Sequence, residues 1–366
     1  ARSDTALATI SNPAGLTHTN AGNGIFYLEY FGTFGQEYRD SLGNDSIVDN
    51  PRAAILGGAI AARLGEESNW VVGLGASAQG GVGYGYESLQ TTAGNADELS
   101  ALFGIFRIAP SLGWQVTEQL SLGASINFNI SQAEQKVLPN TAIAPSASDP
   151  DGFAGLDIAE LSGLSITYRL GVTYDYSKKL TLAASFSNRT PLKLENGKGT
   201  VNFSGLGKVN YDDVSIRGLS LATELGVGLN YQMTDRFSVA ADVTWFDWSR
   251  AFRRTRLQLN HSDNPSAPRV IKATTPNQFR DQIAVSIGGE YRWSEALSLR
   301  GGTAYGRNPI PSEALTPLFG VNSEYHAAAG FVYTFAKVWN FHGGVFYVFP
   351  VAQKYENKDL PLGKVG

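Results

Sequence analysis

A strict alternation of apolar and polar side chains over long stretches most constrains the fold of this chain. In residues 120–131, apolar side chains alternate with glycine, serine and asparagine, and the same pattern recurs in residues 164–176, 219–231 and 282–293. Side chains two positions apart lie on one face of a β-strand, so each stretch predicts a strand with one apolar and one polar face. Aromatic residues recur at the strand ends. This pattern is typical of an antiparallel transmembrane β-barrel with lipid outside and a polar interior.

The connections between strands are of two kinds. Five short polar turns lie at 115–120, 176–180, 233–237, 293–297 and 335–339, and long polar connections lie at 35–50, 87–100, 132–160, 188–218, 250–278 and 308–322. Short turns at one rim and long loops at the other are characteristic of outer-membrane barrels, whereas a soluble β-sandwich, the alternative, rarely sustains such long strands. We predict thirteen strands, at about 24–34, 52–63, 70–86, 101–115, 119–131, 164–176, 179–187, 219–232, 236–249, 280–293, 297–307, 324–335 and 339–350. Because bacterial barrels have even strand numbers, we expect fourteen, with the closing strand missing from this sequence.

Composition excludes several classes of protein. The chain has no cysteine, a net charge of −4 and no basic block, which argues against disulfides, thiolate chemistry and nucleic-acid partners. No run approaches the roughly 18 apolar residues of a membrane helix. His326 and His342 lie on adjacent predicted strands, but pairing His326 with Val348 separates the two histidines by roughly 20 Å, too far for one metal site. The sequence therefore predicts no enzyme, no cofactor and no metal. It begins at Ala1, and we expect that a signal peptide has been removed.

Residues 70–86 form an unusual predicted strand. Its even positions are mostly apolar, while its odd positions from 73 to 85 are glycine apart from Ser77 and Gln79. Glycine weakens a strand, so several on one face indicate a bend or a space that something else must occupy. We interpret this stretch as a wall strand that is bare on its lumen side.

Several motifs resemble the FadL-type outer-membrane transporters of long-chain fatty acids and hydrocarbons. The resemblance spans nearly the whole chain. It is carried by Ser-Asn-Pro-Ala-Gly-Leu at 11–16, Trp-Val-Val-Gly-Leu-Gly at 70–75, Ala-Pro-Ser-Leu-Gly-Trp at 109–114, Phe-Arg-Asp-Gln-Ile-Ala at 279–284 and Ala-Tyr-Gly-Arg-Asn-Pro-Ile-Pro at 304–311. The hatch is shorter than in the family, and we find no match to a fatty-acid carboxylate clamp.

The resemblance implies a fourteen-stranded monomeric barrel in the outer membrane of a Gram-negative bacterium. Residues 1–22 would be a truncated hatch that plugs the lumen, with Asn12, Pro13, Ala14 and Gly15 as its gate, and residues 23–366 would be the barrel. In the family, the third strand is kinked and leaves a lateral opening into the membrane. The third predicted strand here is 70–86, and its break is expected at Gln79, Gly80, Gly81 and Gly83.

The function implied is passive uptake of hydrophobic molecules, either long-chain fatty acids or aromatic or aliphatic hydrocarbons. Two alternatives stay open at this point: a surface receptor or secretion and assembly partner on the same scaffold, and a porin for polar solutes. Conductance separates the porin, because a plugged barrel carries no large steady current.

Candidate lumen residues follow from the alternation. Apolar side chains on the inward positions are Phe103, Ile105, Phe246, Trp248 and Phe346, and inward cations include Arg107, Arg169 and Arg300. These cations either pair across the lumen, hold the hatch or meet a polar head group of the substrate. Membrane lipid is an expected partner, and Arg253, Arg254 and Arg256 form either a solvated rim or a contact with lipopolysaccharide phosphates.

Overall fold

In the computed structural model, the described residues are 5–19, 22–32, 34, 36–49, 52–147, 149–315, 323–336, 338–354, 356–357 and 359–364. Within them the chain is almost entirely β-structure. No helix in these ranges is both long and apolar enough to cross a membrane. The only α-helix among them, α1, is the short segment Trp248–Ala251, and two 3₁₀ helices, Ala6–Thr9 and Pro13–His18, precede the first strand.

The described residues form strands of very different lengths. In chain order they are β1 (Asn23–Gly32), β2 (Glu37–Arg39), β3 (Asp45–Ile47), β4 (Arg52–Arg63), β5 (Trp70–Gln90), β6 (Ala96–Gln115), β7 (Leu120–Ile143), β8 (Phe153–Ser177), β9 (Leu180–Ser187), β10 (Thr190–Pro191), β11 (Leu194–Phe203), β12 (Gly207–Arg217), β13 (Ser220–Leu221), β14 (Glu224–Thr234), β15 (Phe237–Phe246), β16 (Arg254–Ser262), β17 (Val270–Pro276), β18 (Gln282–Arg292), β19 (Leu297–Gly306), β20 (Tyr325–Phe335) and β21 (Trp339–Val348).

Thirteen of these strands form one continuous antiparallel ladder. Its order is β1, β4, β5, β6, β7, β8, β9, β14, β15, β18, β19, β20 and β21, so each predicted strand has a counterpart. The predicted pairing of Phe335 with Trp339, which places His326 opposite Val348, is confirmed. The two end strands also approach each other, because Phe31 of β1 packs edge-on against Phe346 of β21 at 5.1 Å. The ladder therefore curls back on itself.

The two faces of the ladder show the reverse of the burial found in a soluble protein. On β7, the apolar Ile126 is 46 % exposed, whereas the neighbouring Asn127 is 0 % exposed. Burying polar groups while leaving large apolar side chains uncovered is favourable only if the uncovered face meets lipid. At the short-turn end, Trp70 and Trp114 stack on this outer face at 5.0 Å, as expected of an aromatic girdle.

The long connections contain more structure than the sequence analysis predicts. The predicted loop 132–160 is wrong over much of its length, because β7 continues to Ile143 and β8 begins at Phe153. The predicted loops 188–218 and 250–278 contain β11, β12, β16 and β17, which extend the sheet beyond the ladder. Their inner faces share an apolar core that includes Leu194, Val209 and Leu259, each fully buried.

A second apolar cluster lies at the loop end of β5 and β6. It joins Tyr38, Tyr86 and Leu99 to Leu362 near the end of the chain. Two backbone hydrogen bonds fix this last segment: the Gly363 amide donates to Asp40 Oδ2 at 2.8 Å, and the Thr92 amide donates to the Pro361 carbonyl at 2.9 Å.

The hydrogen bond from the Gly363 amide to Asp40 should depend on pH. Burial alone would raise the pKa of the Asp40 carboxyl, but hydrogen bonds from Asn44, Gly363 and Tyr38 outweigh it and lower the pKa. A carboxyl with a lowered folded-state pKa stabilises above its unfolded pKa, and this contribution is lost as the pH falls through the folded value. Relative to the cleavage rate of a denatured substrate at the same pH, which corrects for the pH dependence of pepsin itself, we expect the segment 349–364 to be cleaved faster at pH 3 than at pH 5. The Asp40→Asn variant should show little of this difference, and an unchanged pH profile in that variant would assign the effect to another group.

Candidate functional site

The N-terminal segment, residues 5–19, lies against the inner face of β4 to β8. Glycine makes this approach possible, because a Cβ at Gly123 would overlap the backbone of Pro13 and Ala14. A Cβ at Gly171 would overlap Asn12, and one at Gly73 would collide with Thr9 and contact Leu16. The bare positions of the wall are therefore filled here by the N-terminal segment.

The Asn-Pro-Ala motif is the most tightly held part of this segment. The Asn12 side chain caps the second 3₁₀ helix by accepting from the Ala14 amide at 3.2 Å, and proline takes the first helical position, where no amide donor is needed. The Asn12 amide group also donates to the carbonyls of Val172 and Ala184, at 3.3 and 3.2 Å. The Asn12 side chain thus caps the helix at its start and also hydrogen-bonds to two barrel strands.

Charged side chains add a second set of contacts to the N-terminal segment. Arg169 donates to the Ser11 carbonyl at 3.0 Å with one nitrogen and to Glu224 at 2.5 Å with another. At the other end of the segment, His18 Nε2 lies 2.9 Å from Asp175 Oδ2. Buried cations need such partners, and Arg169 is only 7 % exposed.

The other two candidate arginines lie in different surroundings. Arg107 is 3 % exposed and donates to Asn129 Oδ1 at 2.8 Å on the neighbouring strand. Arg300 is partly exposed to the cavity and pairs with Glu290 directly across the β18–β19 ladder, at 2.7 Å. Arg107 lies within electrostatic range of Arg169 and Glu224, whereas Arg300 belongs to a separate ion pair, so the structure groups only two of the three arginines.

Beyond the N-terminal segment, the ladder encloses a cavity of about 2840 Å³. Three of the five apolar candidates, Phe103, Ile105 and Phe346, line it. Phe246 and Trp248 do not line it. Their rings stack on each other with centroids 5.8 Å apart, and Trp248 also packs edge-on against Phe252. Trp248 belongs to helix α1 rather than to the strand predicted for it, which ends at Phe246.

The third ladder strand, β5, is irregular at Gln79. Its pairing with β6 runs without interruption to Ala78 opposite Phe106, then skips Gln79 and resumes with Gly80 opposite Ile105. One unpaired residue in an antiparallel ladder is a β-bulge, which bends the strand that carries it. The bulge coincides with the break expected at Gln79, Gly80 and Gly81.

The same strand parts from its other neighbour just before the bulge. The described pairing of β4 with β5 ends at Gly58 opposite Ala76, although β4 continues to pair with β1 as far as Arg52. Beyond Ala76, the ladder of β5 continues with β6 alone, and the next backbone hydrogen bond on its other side is donated by the Asp49 amide to the Gly85 carbonyl, at 2.9 Å. The wall therefore has a gap between the loop-side halves of β4 and β5. The β4 residues that border this gap, Ala53 and Ile55, are not among the predicted site residues, because their sequence resembles that of any wall strand.

The bulge also reverses which side chains face inward. Before it, the inward residues are odd-numbered, such as Ser77; after it they are even-numbered, such as Tyr84 and Tyr86, both 3 % exposed. The prediction of one bare inward face from 73 to 85 is therefore wrong beyond Ser77. Gly81 and Gly83 lie on the outer face of the wall, because Gly83 is paired with the outward Leu102.

Residues of both faces of the wall line the cavity at this gap, as they also do on the fully paired strands β18 to β21. The inward Gly80 and the outward Gly81 and Gly83 all line it, as does Gln79. The outward Leu102 and Phe106 of β6 line it together with the inward Phe103 and Ile105. Among the described residues, no group of three or more His, Asp or Glu side chains could hold a metal ion.

A curled antiparallel ladder with an apolar outer face and an N-terminal segment packed against its inner face is the architecture of a membrane β-barrel protein. Residues 3–362 match the family model described as outer membrane protein transport protein (OMPP1/FadL/TodX), and the chain belongs to this family. It is a transport-family protein of the Gram-negative outer membrane rather than an enzyme.

Solved structures share the fold at low sequence identity. The toluene transporter TodX of Pseudomonas putida is 20 % identical, with a TM-score of 0.72 over 93 % of this chain and 87 % of that one. A Pseudomonas aeruginosa FadL homologue is 17 % identical, with a TM-score of 0.72 over 99 % and 90 %. The toluene transporter TbuX of Ralstonia pickettii is 20 % identical, with a TM-score of 0.70 over 90 % and 85 %.

A curated relative matches over a shorter region. It is an outer membrane protein of Neisseria meningitidis serogroup B that is 30 % identical over 80 residues, which is 22 % of this chain. The match spans 17 % of that protein's length.

Proposed function

We propose that this protein takes up hydrophobic small molecules passively from the cell surface and delivers them sideways into the outer membrane. The observation that carries the proposal is the gap between β4 and β5, where the described pairing stops, a bulge at Gln79 bends the wall and the cavity is lined by Gln79, Gly80 and Gly81. Toluene transporters among the structural relatives support a hydrophobic substrate, either a hydrocarbon or a fatty acid.

A sideways route suits such a substrate energetically. Each buried CH₂ group is stabilised by about 0.8 kcal/mol relative to water, so a hydrocarbon that leaves into the periplasm loses what it gained on entering an apolar site. A path from Phe103 and Ile105 inside to Leu102 and Phe106 outside keeps apolar contacts throughout. Entry into lipid then completes the transfer.

The gap itself is costly to maintain, which supports a function for it. The stretch Arg52–Gly57 of β4 has no described partner on its β5 side, and unpaired backbone groups in a membrane wall are unfavourable. Nothing lies within 4 Å of a Cβ placed at Gly80, so the passage beside the bulge is free of side chains at this point.

The N-terminal segment acts, in this proposal, as the gate at the short-turn end. Asn12 and Arg169 hold it against the wall beneath the cavity. A lumen blocked there and a wall open at the side direct a solute from the loop end towards lipid.

Replacing Gly80 with tryptophan tests the route. The indole would project into the passage on the cavity side, so we expect uptake of radiolabelled toluene and of radiolabelled oleate to fall to the rate of cells that lack the protein. Gly24→Trp is the matched control, because Gly24 lies on the outward face of β1 away from the cavity and its Cβ would meet only Ile60 Cγ2, at 3.7 Å. Wild-type uptake of both solutes by a folded Gly80→Trp variant would refute the lateral route.

A further inference from the structure

A basic patch lies on the outer face of the sheet that extends beyond the ladder. Within β16, Leu257 and Leu259 point into the apolar core, so Arg254 and Arg256 lie on the opposite, exposed face. Arg217, at the end of β12, lies on the same outer face, because Ile216 beside it belongs to the core. We call these three arginines the basic patch.

The patch contains a like-charge contact that the protein neutralises only in part. Arg217 and Arg256 are directly opposite each other in the β12–β16 ladder. Like charges at directly opposed positions destabilise a sheet. Arg217 forms an exposed ion pair with Glu195 at 3.0 Å, but the described residues include no carboxylate within ion-pair distance of Arg254 or Arg256. The fold therefore holds the positive charges of Arg254 and Arg256 close to Arg217 without a neutralising carboxylate of their own.

The chain path places the patch just beyond the loop-side ends of β14 and β15. The ladder strand β15 ends at Phe246, and after helix α1 the chain enters β16 at Arg254. On the other side, β12 ends at Arg217, and the chain re-enters the ladder at Glu224 of β14. The outward Trp245, paired with Leu225 and Ile283, belongs to the apolar band of these strands. A cation just beyond this band is at the level of lipid phosphates.

We infer that the basic patch binds the phosphate groups of lipopolysaccharide in the outer leaflet. Charge complementarity carries the inference, because guanidinium groups bind phosphate oxygens through paired, charge-assisted hydrogen bonds. A phosphate between Arg217 and Arg256 would turn their repulsion into attraction to a common anion. The bound lipid would brace the extended sheet against the membrane on the side of β14 and β15, independently of the uptake route.

The test uses the full-length chain in lipid-free detergent micelles, with bisphosphorylated lipid A as probe and native mass spectrometry as readout. The triple variant Arg217→Gln, Arg254→Gln, Arg256→Gln should lose about tenfold or more in affinity, since charge-assisted hydrogen bonds are the strong ones. The matched control removes three exposed cations at the short-turn rim, Lys178→Gln, Lys179→Gln and Arg236→Gln, and should bind like the wild type. Heat-modifiable migration on gels checks that both variants are folded.

Two further arms identify the ligand. The wild type should bind lipid A without phosphates no more tightly than the triple variant binds bisphosphorylated lipid A. Millimolar inorganic phosphate should not change the melting temperature of the wild type as lipid A does. The Arg256→Gln variant should have a melting temperature equal to or above that of the wild type without lipid A, and below it with lipid A. Equal binding of the two lipid A forms, equal losses in both triple variants, or an effect of inorganic phosphate matching that of lipid A would each overturn the inference.

Discussion

Replacing Gly123 with valine should turn a blocked barrel into a conducting one. A Cβ at this position would overlap the backbone of Pro13 and Ala14, which cannot move aside without breaking the contacts of the Asn-Pro-Ala motif. Overpacking of this kind costs about 1–3 kcal/mol, and the two extra methyl groups of valine add to the overlap. Since every 1.4 kcal/mol is about tenfold in an equilibrium, the ratio of undocked to docked segment should rise about 5- to 150-fold. We expect steady ion conductance in planar bilayers, where the wild type is closed.

The control for this experiment is Gly301→Val, which adds the same bulk to an outward position. It should leave the bilayer closed. Limited proteolysis gives a second readout, because a displaced N-terminal segment should be cleaved before Asn23, where β1 begins. If Gly123→Val stays closed while its N-terminal segment is cleaved, this segment is not the gate.

Much of the fold follows from the alternation, because strand period and burial are local properties. The alternation predicts that Ile126 faces lipid and Asn127 faces the interior. In the structure Ile126 is exposed and Asn127 is buried, as predicted. The extended sheet was missed although its signal was present: Leu257 and Leu259 alternate with polar residues, as do Val209 and Tyr211. These strands are as long as the ladder strands β9 and β15, but polar and glycine residues such as those at 195–199 interrupt their apolar pattern, and the sequence analysis therefore predicts loops there.

The glycine faces show where sequence reasoning fails. A run of glycines reveals missing side chains but not what fills the space, since the filling residues can be distant in the chain. Gly123 and Gly171 are filled by Pro13 and Asn12, which lie far away in sequence. Only the structure separates these occupied positions from Gly80, which borders open space.

The bulge is a second case of information that single-strand patterns lack. The sequence predicts a break near Gln79, but whether a strand carries an unpaired residue depends on its partner, and only the β5–β6 pairing shows a one-residue bulge there. The even-numbered apolar row appeared continuous to Tyr86 because glycine at 80 and 81 hides the change of face. The alternation therefore predicts that Tyr84 and Tyr86 face lipid, although they lie on the inner side of the wall.

Deleting Gln79 should abolish hydrophobic uptake while leaving the barrel folded. Ala78 and Gly80 already pair with consecutive residues of β6, so the deletion removes the bulge without turning any later side chain to the other face. A straight β5 can continue its ladder with β4, where Arg52–Gly57 lacks a partner on that side. Each hydrogen bond gained contributes about 0.5–1.5 kcal/mol, so closure of the gap is favourable. We expect uptake of radiolabelled toluene to fall to the background rate.

Gln79→Ala separates the extra residue from its side chain. This variant keeps the bulge and should transport like the wild type, although it loses the hydrogen bond from the Gln79 amide to Ser77 at 2.6 Å. Hydrogen exchange supplies the structural readout, since the amides of Arg52–Gly57 should exchange more slowly only in the deletion variant. Slower exchange together with wild-type uptake would mean that the gap closes without consequence. The substrate would then leave by another path, because a solute cannot pass through a wall whose backbone is fully paired.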